Sequence, residues 1–157
     1  MLASWGWVND PVYKSADKVI SNLIEVVAKG GNYLLGIGPR PDGTIDEGAR
    51  TILSAVGDWM RKYGKAIYNT RIARNYNDGK VWFNADKDGR TLYALYSYGG
   101  SGSMPSTIEW TGNVPAGKMI LLSTGKTVRY KVSGDKVKVT LPAGMPAESF
   151  ALSFCTR

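Results

Sequence analysis

Hydrophobic positions change their period once along the chain. Between Ser15 and Lys29, Val19, Ile20, Leu23, Ile24, Val26 and Val27 fall on one helical face; Ser15 caps the start and Gly30 stops the end. A second helix is predicted from a cap at Thr44 or Asp46 to about Tyr63, with Ile52, Leu53, Val56, Met60 and Tyr63 inward, Trp59 and Tyr63 against the next domain, and Gly64 as its stop. Between them Tyr33 to Ile37 is a nearly continuous apolar run bounded by glycines, the pattern of a parallel strand covered on both faces. Past Thr70 the pattern alternates instead. Short strands are predicted at Lys80–Ala85, Thr91–Ser97, Thr107–Thr111, Met119–Ser123, Thr127–Val132, Lys136–Leu141 and Ser149–Cys155, punctuated by Asp78-Gly79, Asp88-Gly89 and Gly134-Asp135.

Helix, buried strand, loop, helix is α/β grammar, and a run of short alternating strands is that of an antiparallel β-sandwich. The domain boundary is therefore placed at 69/70. In an α/β unit the ligand side lies at the C-terminal end of the strand, so the loop Gly38-Pro39-Arg40-Pro41-Asp42-Gly43 is placed at the mouth of any site. Gly36-Ile37-Gly38 is no dinucleotide fingerprint, because Pro39 and Pro41 stand where a phosphate-binding helix would begin.

Composition narrows the chemistry. The 43% hydrophobic content, with five Trp, nine Tyr and three Phe, supports a real core, and no apolar run reaches the roughly 18 residues of a membrane span. One cysteine, Cys155, excludes an internal disulfide; with no histidine, no metal framework is visible and no cofactor is expected. The net charge of +7 comes partly from basic residues alternating with apolar ones over Lys126–Lys138, a solvated sheet face and not a nucleic-acid module. Met1-Leu2-Ala3 lacks the basic start and apolar core of a signal peptide, and localisation is not encoded.

Three motifs occur in order: Ser4-Trp5-Gly6-Trp7, then Gly30-Gly31-Asn32-Tyr33-Leu34-Leu35-Gly36-Ile37-Gly38-Pro39 with Asp42-Gly43, then Gly64-Lys65-Ala66-Ile67-Tyr68-Asn69-Thr70-Arg71. Over residues 4 to 71 the chain thereby resembles the α-L-fucosidases of glycoside hydrolase family 29, departing from their usual pattern at Trp7, Gly36 and Lys65. The resemblance implies an α+β chain in which residues 1–69 are the terminal α/β portion of a (β/α)8 barrel and residues 70–157 a C-terminal β-sandwich. A whole barrel needs about 250 residues, more than the chain holds.

The resemblance further implies a retaining glycosidase acting on fucosylated glycans without metal or cofactor. Such chemistry needs two carboxyl groups about 5 Å apart, and the family's aspartate nucleophile and glutamate acid/base precede the first motif. Catalytic residues are thus expected in an N-terminal barrel portion, and the substrate-lining residues here are Trp5 and Trp7. Asp42, Asp46, Asp78, Asp86, Asp88 and Asp135 read instead as turn or cap residues. The alternative is a noncatalytic carbohydrate-binding or interaction module whose candidate aromatics are Trp82, Tyr93, Tyr96, Tyr98 and Trp110, although core packing is the expected fate of most of them. A lone barrel strand has open edges, so residues 1 to 69 are expected to be more mobile or more association-prone than the sandwich.

Overall fold

The computed structural model describes residues 6–9, 11–100 and 102–156. Helix α1 spans Ala16–Ala28; the Ser15 hydroxyl accepts the Lys18 amide at 3.2 Å, and Asp17 stands in the first turn, where the helix dipole favours an acid. Its end is a left-handed glycine stop: Gly30 has φ 81°, and the Gly30 and Gly31 amides donate back to the Val27 and Val26 carbonyls. Helix α2, Glu47–Tyr63, starts at Asp46, whose side chain accepts the Gly48 amide at 2.9 Å. It stops at Gly64 without a left-handed residue, tightening into a 3-10 turn over Gly64–Ala66. A Cβ there would lie 2.9 Å from the ring of Tyr68, an exposed side chain that would have to turn aside.

Eight strands follow: β1 Thr70–Asp78, β2 Val81–Asp86, β3 Thr91–Tyr96, β4 Thr107–Thr111, β5 Pro115–Leu121, β6 Thr127–Ser133, β7 Lys136–Thr140 and β8 Phe150–Thr156. All pair antiparallel, in the order β1-β2-β3-β8-β5-β6-β7-β4. The expected sandwich is therefore one sheet folded over on itself, nearly closed like a barrel. The fold falls at the β5–β6 junction, where two residue pairs, Met119↔Val128 and Ile120↔Thr127, carry the ladder. Trp110 of β4 then stacks on Phe154 of β8 at 5.9 Å and meets Phe83 of β2 edge-on at 5.5 Å. At the remaining gap the ends of the sheet are joined by side chains: Asp78 accepts the Thr111 amide at 2.8 Å, and the Asn113 amide group donates to the Asn75 carbonyl at 2.7 Å.

Strand β1 is absent from the expectations above. Its sequence, Thr-Arg-Ile-Ala-Arg-Asn-Tyr-Asn-Asp, buries only Ala73, and a strand with one covered position leaves no alternation to read.

The helices cover the other face of the β3–β8 region. Ile20, Ile24, Trp59 and Tyr63 join the same apolar cluster as Leu95, Phe150 and Leu152, so Leu92 to Tyr96 of β3 are all buried. Polar ties fix this layer: Trp59 donates to the Ser149 carbonyl, the Ser149 hydroxyl accepts the Tyr98 amide, and Asn84, fully buried, donates to the Ala66 carbonyl at 2.7 Å.

The expected two-sided burial of Tyr33 to Ile37 is not found. The segment is extended but pairs with no strand among the described residues. Tyr33, Leu35 and Ile37 pack on Val19, Ala49 and the partly buried Ile52, Leu53 and Val56 of the two helices, while Leu34, pointing the other way, is 93% exposed. A parallel strand gains its ladder and second cover from neighbouring strands, and the described residues supply none here. The expected (β/α)8 portion is not shown: among the described residues this region holds two helices and a one-sided segment that joins no ladder.

Candidate functional site

The site is assembled where the first two sequence motifs meet. A Cβ at Gly38 would lie 2.5 Å from the Trp7 backbone nitrogen and 2.7 Å from the Gly6 carbonyl carbon, so the two chains cross at a distance only glycine permits. The crossing holds Trp7 at the C-terminal end of the extended segment. Trp7 is half-buried, and its indole N–H has no hydrogen-bond partner among the described residues. Trp5 lies outside the described residues.

Behind Trp7 the loop is braced from within. Arg40 and Thr44 pair across the turn, with the Arg40 amide on the Thr44 carbonyl at 2.8 Å and the Gly43 amide on the Arg40 carbonyl at 2.9 Å. Asp42 accepts both the Thr44 amide, at 2.9 Å, and its hydroxyl, at 2.7 Å, and these bonds hold its carboxyl below the usual carboxylate range. Arg40 reaches over to Asp46 with Nη2 at 2.7 Å from Oδ2. Asp46 is held ionised first by Arg40, then by the Tyr13 hydroxyl, then by the Gly48 amide. One carboxylate thus caps α2, anchors the loop and fixes Tyr13, whose ring approaches so closely that a Cβ at Gly48 would meet it at 2.5 Å.

Other acids are engaged elsewhere. Asp86 accepts the Arg90 and Thr91 amides of a turn, Glu25 pairs with Lys29 and Asp58 with Arg61. Glu109 lies between Lys138 and Lys136, whose hydrogen bonds bring its pKa down to about 2. Asp17, in the first turn of α1, and Glu148, just before β8, act on each other through charge. Burial, and then the charge of Glu148, raise the Asp17 carboxyl. Glu148 is itself bound to Lys62 at 3.0 Å and to the Tyr63 hydroxyl at 3.0 Å, and burial pushes Tyr63 up to about 12. Nothing in the sequence signals this pair, because 131 positions separate its members and only packing brings them together. Lys62 and Tyr63 make Glu148 a tie between α2 and the segment before β8. Among the described residues no group of three or more His, Cys, Asp and Glu could hold a metal ion.

Four of the five aromatics of the alternative reading are core, the fate expected for most of them, and they offer no platform. Tyr93, Tyr96, Tyr98 and Trp110 are 4%, 7%, 9% and 1% exposed, built into the core from both sheet layers. Trp82 is half-buried, stacked on Tyr76 at 6.5 Å with Lys29 over its ring. Alternation alone could not tell an outward position from one covered by the helices.

A family model described as Alpha-L-fucosidase matches residues 1–65. Human tissue alpha-L-fucosidase is 31% identical over 140 residues, 84% of this chain and 27% of that enzyme. The Branchiostoma floridae alpha-L-fucosidase is 30% identical over 147 residues, 88% of this chain and 32% of that enzyme. Among solved structures, Thermotoga maritima alpha-fucosidase in complex with fucose superimposes with a TM-score of 0.81 at 27% identity, over 96% of this chain and 37% of its own. The chain therefore spans about a third or less of the relatives it matches.

Proposed function

Because the chain belongs to the α-L-fucosidase family and corresponds to the C-terminal part of its members, we propose that it completes a retaining α-L-fucosidase that releases terminal α-L-fucose from glycans. In this reading residues 1–69 close a (β/α)8 barrel and residues 70–157 brace it. The partner is the earlier, N-terminal portion of the barrel, which supplies the aspartate nucleophile and the glutamate acid/base. The reaction then runs through a covalent glycosyl–enzyme intermediate and needs no metal or cofactor. Trp5 and Trp7 line the pocket, where an aromatic plane offers a sugar's C–H face a large contact at little conformational cost.

The observation that carries the reading is the uncovered side of residues 33–37. The helices cover Tyr33, Leu35 and Ile37, while Leu34 stays 93% exposed beside the Gly38–Trp7 crossing. A parallel barrel strand needs cover on both faces, and the remaining strands of a barrel would bring it.

The test is hydrolysis of an aryl α-L-fucoside. The purified chain is expected to give no turnover, and co-expression with a polypeptide carrying the earlier barrel strands to give a stable complex that turns over with retention. In that complex Trp7→Ala should lower kcat/KM about tenfold, the scale of one lost stacking contact. Turnover that tracks the 157-residue species by itself would overturn the placement of both catalytic acids.

A further inference from the structure

We propose that the outer face of the β6–β7–β4 layer binds a polyanionic polysaccharide, a sugar chain bearing sulfate or uronate groups. Val128, Val137 and Val139 of this layer are buried, so by strand alternation Arg129, Lys131, Lys136 and Lys138 all point outward, and all four are exposed. Register then sets Lys131 directly across from Lys138, with Glu109 on the far side of Lys138. Glu109 is occupied by Lys136 at 2.9 Å and Lys138 at 2.8 Å. Arg129 and Lys131 have no carboxylate partner among the described residues. Like charges placed opposite one another weaken an antiparallel pair, so this face carries a cost that an anionic partner would remove.

The face is also free to be used. The helices pack on the opposite layer of the folded sheet, and none of the described elements covers this one. Neighbouring strands are about 4.8 Å apart and alternate residues about 7 Å, so the cations form a grid on the scale of successive sugar units. The outward positions between them, Thr107, Thr111, Ser133 and Thr140, offer hydroxyls that suit a glycan. Nucleic acid fits less well. Single strands call for exposed aromatic platforms and duplexes for an element that enters a groove, and this face is a flat sheet of Lys, Arg, Thr, Ser and Glu.

The inference concerns binding and does not rest on hydrolysis by this chain. The experiment uses a heparin-derived sulfated hexasaccharide titrated into the 157-residue chain at about 0.15 M salt, where exposed charges are screened beyond about 8 Å. Lys131→Glu is expected to weaken binding about tenfold and flatten its salt dependence, while raising the melting temperature, because a glutamate there would face Lys138. Lys14→Glu, with the same change in net charge on an exposed residue before α1, is expected to leave binding within about twofold. Equal loss in both variants would reduce the effect to net charge and overturn the site, as would no binding by the unsubstituted chain. Duplex DNA or anionic vesicles binding as tightly as the hexasaccharide, and lost in Lys131→Glu, would overturn the glycan as partner.

Discussion

The indole N–H of Trp59 donates to the main-chain carbonyl of Ser149 at 2.6 Å, across 90 positions of sequence. That bond sits inside the cluster shared by α2 and β8, with Trp59 2% and Ser149 0% exposed. Trp59→Phe keeps most of the packing but leaves a buried carbonyl unpaired, and should cost about 1–3 kcal/mol; Trp59→Ala should cost about 3–5 kcal/mol. Urea unfolding followed by far-UV circular dichroism checks both. A cost for the Phe variant near zero would show the bond to be replaced by water.

Gly38→Ala tests the chain crossing. The added methyl has no flexible side chain to displace, only the Gly6–Trp7 backbone, and the expected loss is about 1–3 kcal/mol of local stability. It should appear as faster proteolysis around residues 6–9 and a red-shifted tryptophan emission, with the sheet unaffected.

The Glu109 carboxylate has a folded-state pKa of about 2, well below its ordinary 4.5. A depressed acid contributes stability that is present above about 4.5 and is lost as pH falls towards 2. Glu109→Gln should therefore lower the urea midpoint at pH 7, and the difference should shrink as pH falls through about 2 and vanish below it. High salt should shrink the difference at pH 7, since both lysines are more than half exposed.

Asp17 has the opposite sign. Its folded-state pKa is raised by burial and then by Glu148, so stability falls as pH rises from the ordinary 3.8 through the raised value. Asp17→Asn keeps the size of the side chain, removes the charge facing Glu148, and should raise the melting temperature at neutral pH. A variant less stable at pH 7 than the unsubstituted chain would show that the first-turn charge on the helix dipole outweighs the repulsion.

Amide exchange separates the two parts of residues 6–66. Amides of α1 and α2 that face the shared core should be protected to the same degree as β3, whereas Leu34 and Leu35, outside any ladder among the described residues, should exchange within the dead time. Strong protection at Leu34 in a verified monomer would mean that the open face is closed in solution.

Local signals were legible wherever the physical cause is local. Ser15 and Asp46 cap their helices, Gly30 ends α1 in the left-handed region, and seven of the eight strands are located by alternation and turn residues, although β5 begins at Pro115 and ends at Leu121 against the expected Met119–Ser123. The three motifs near Trp7, Gly38 and Gly64 were readable too, since glycine at a chain crossing leaves its mark in sequence. What tertiary structure decided is everything set by covering. It placed the helices over β3 and β8 and so decided which of the candidate aromatics are core, Tyr93, Tyr96 and Tyr98 among them; it left Leu34 bare; and it set Lys131 opposite Lys138. The period of a strand states which residues share a face, but which faces are buried depends on what packs against them, and those contacts join residues tens of positions apart.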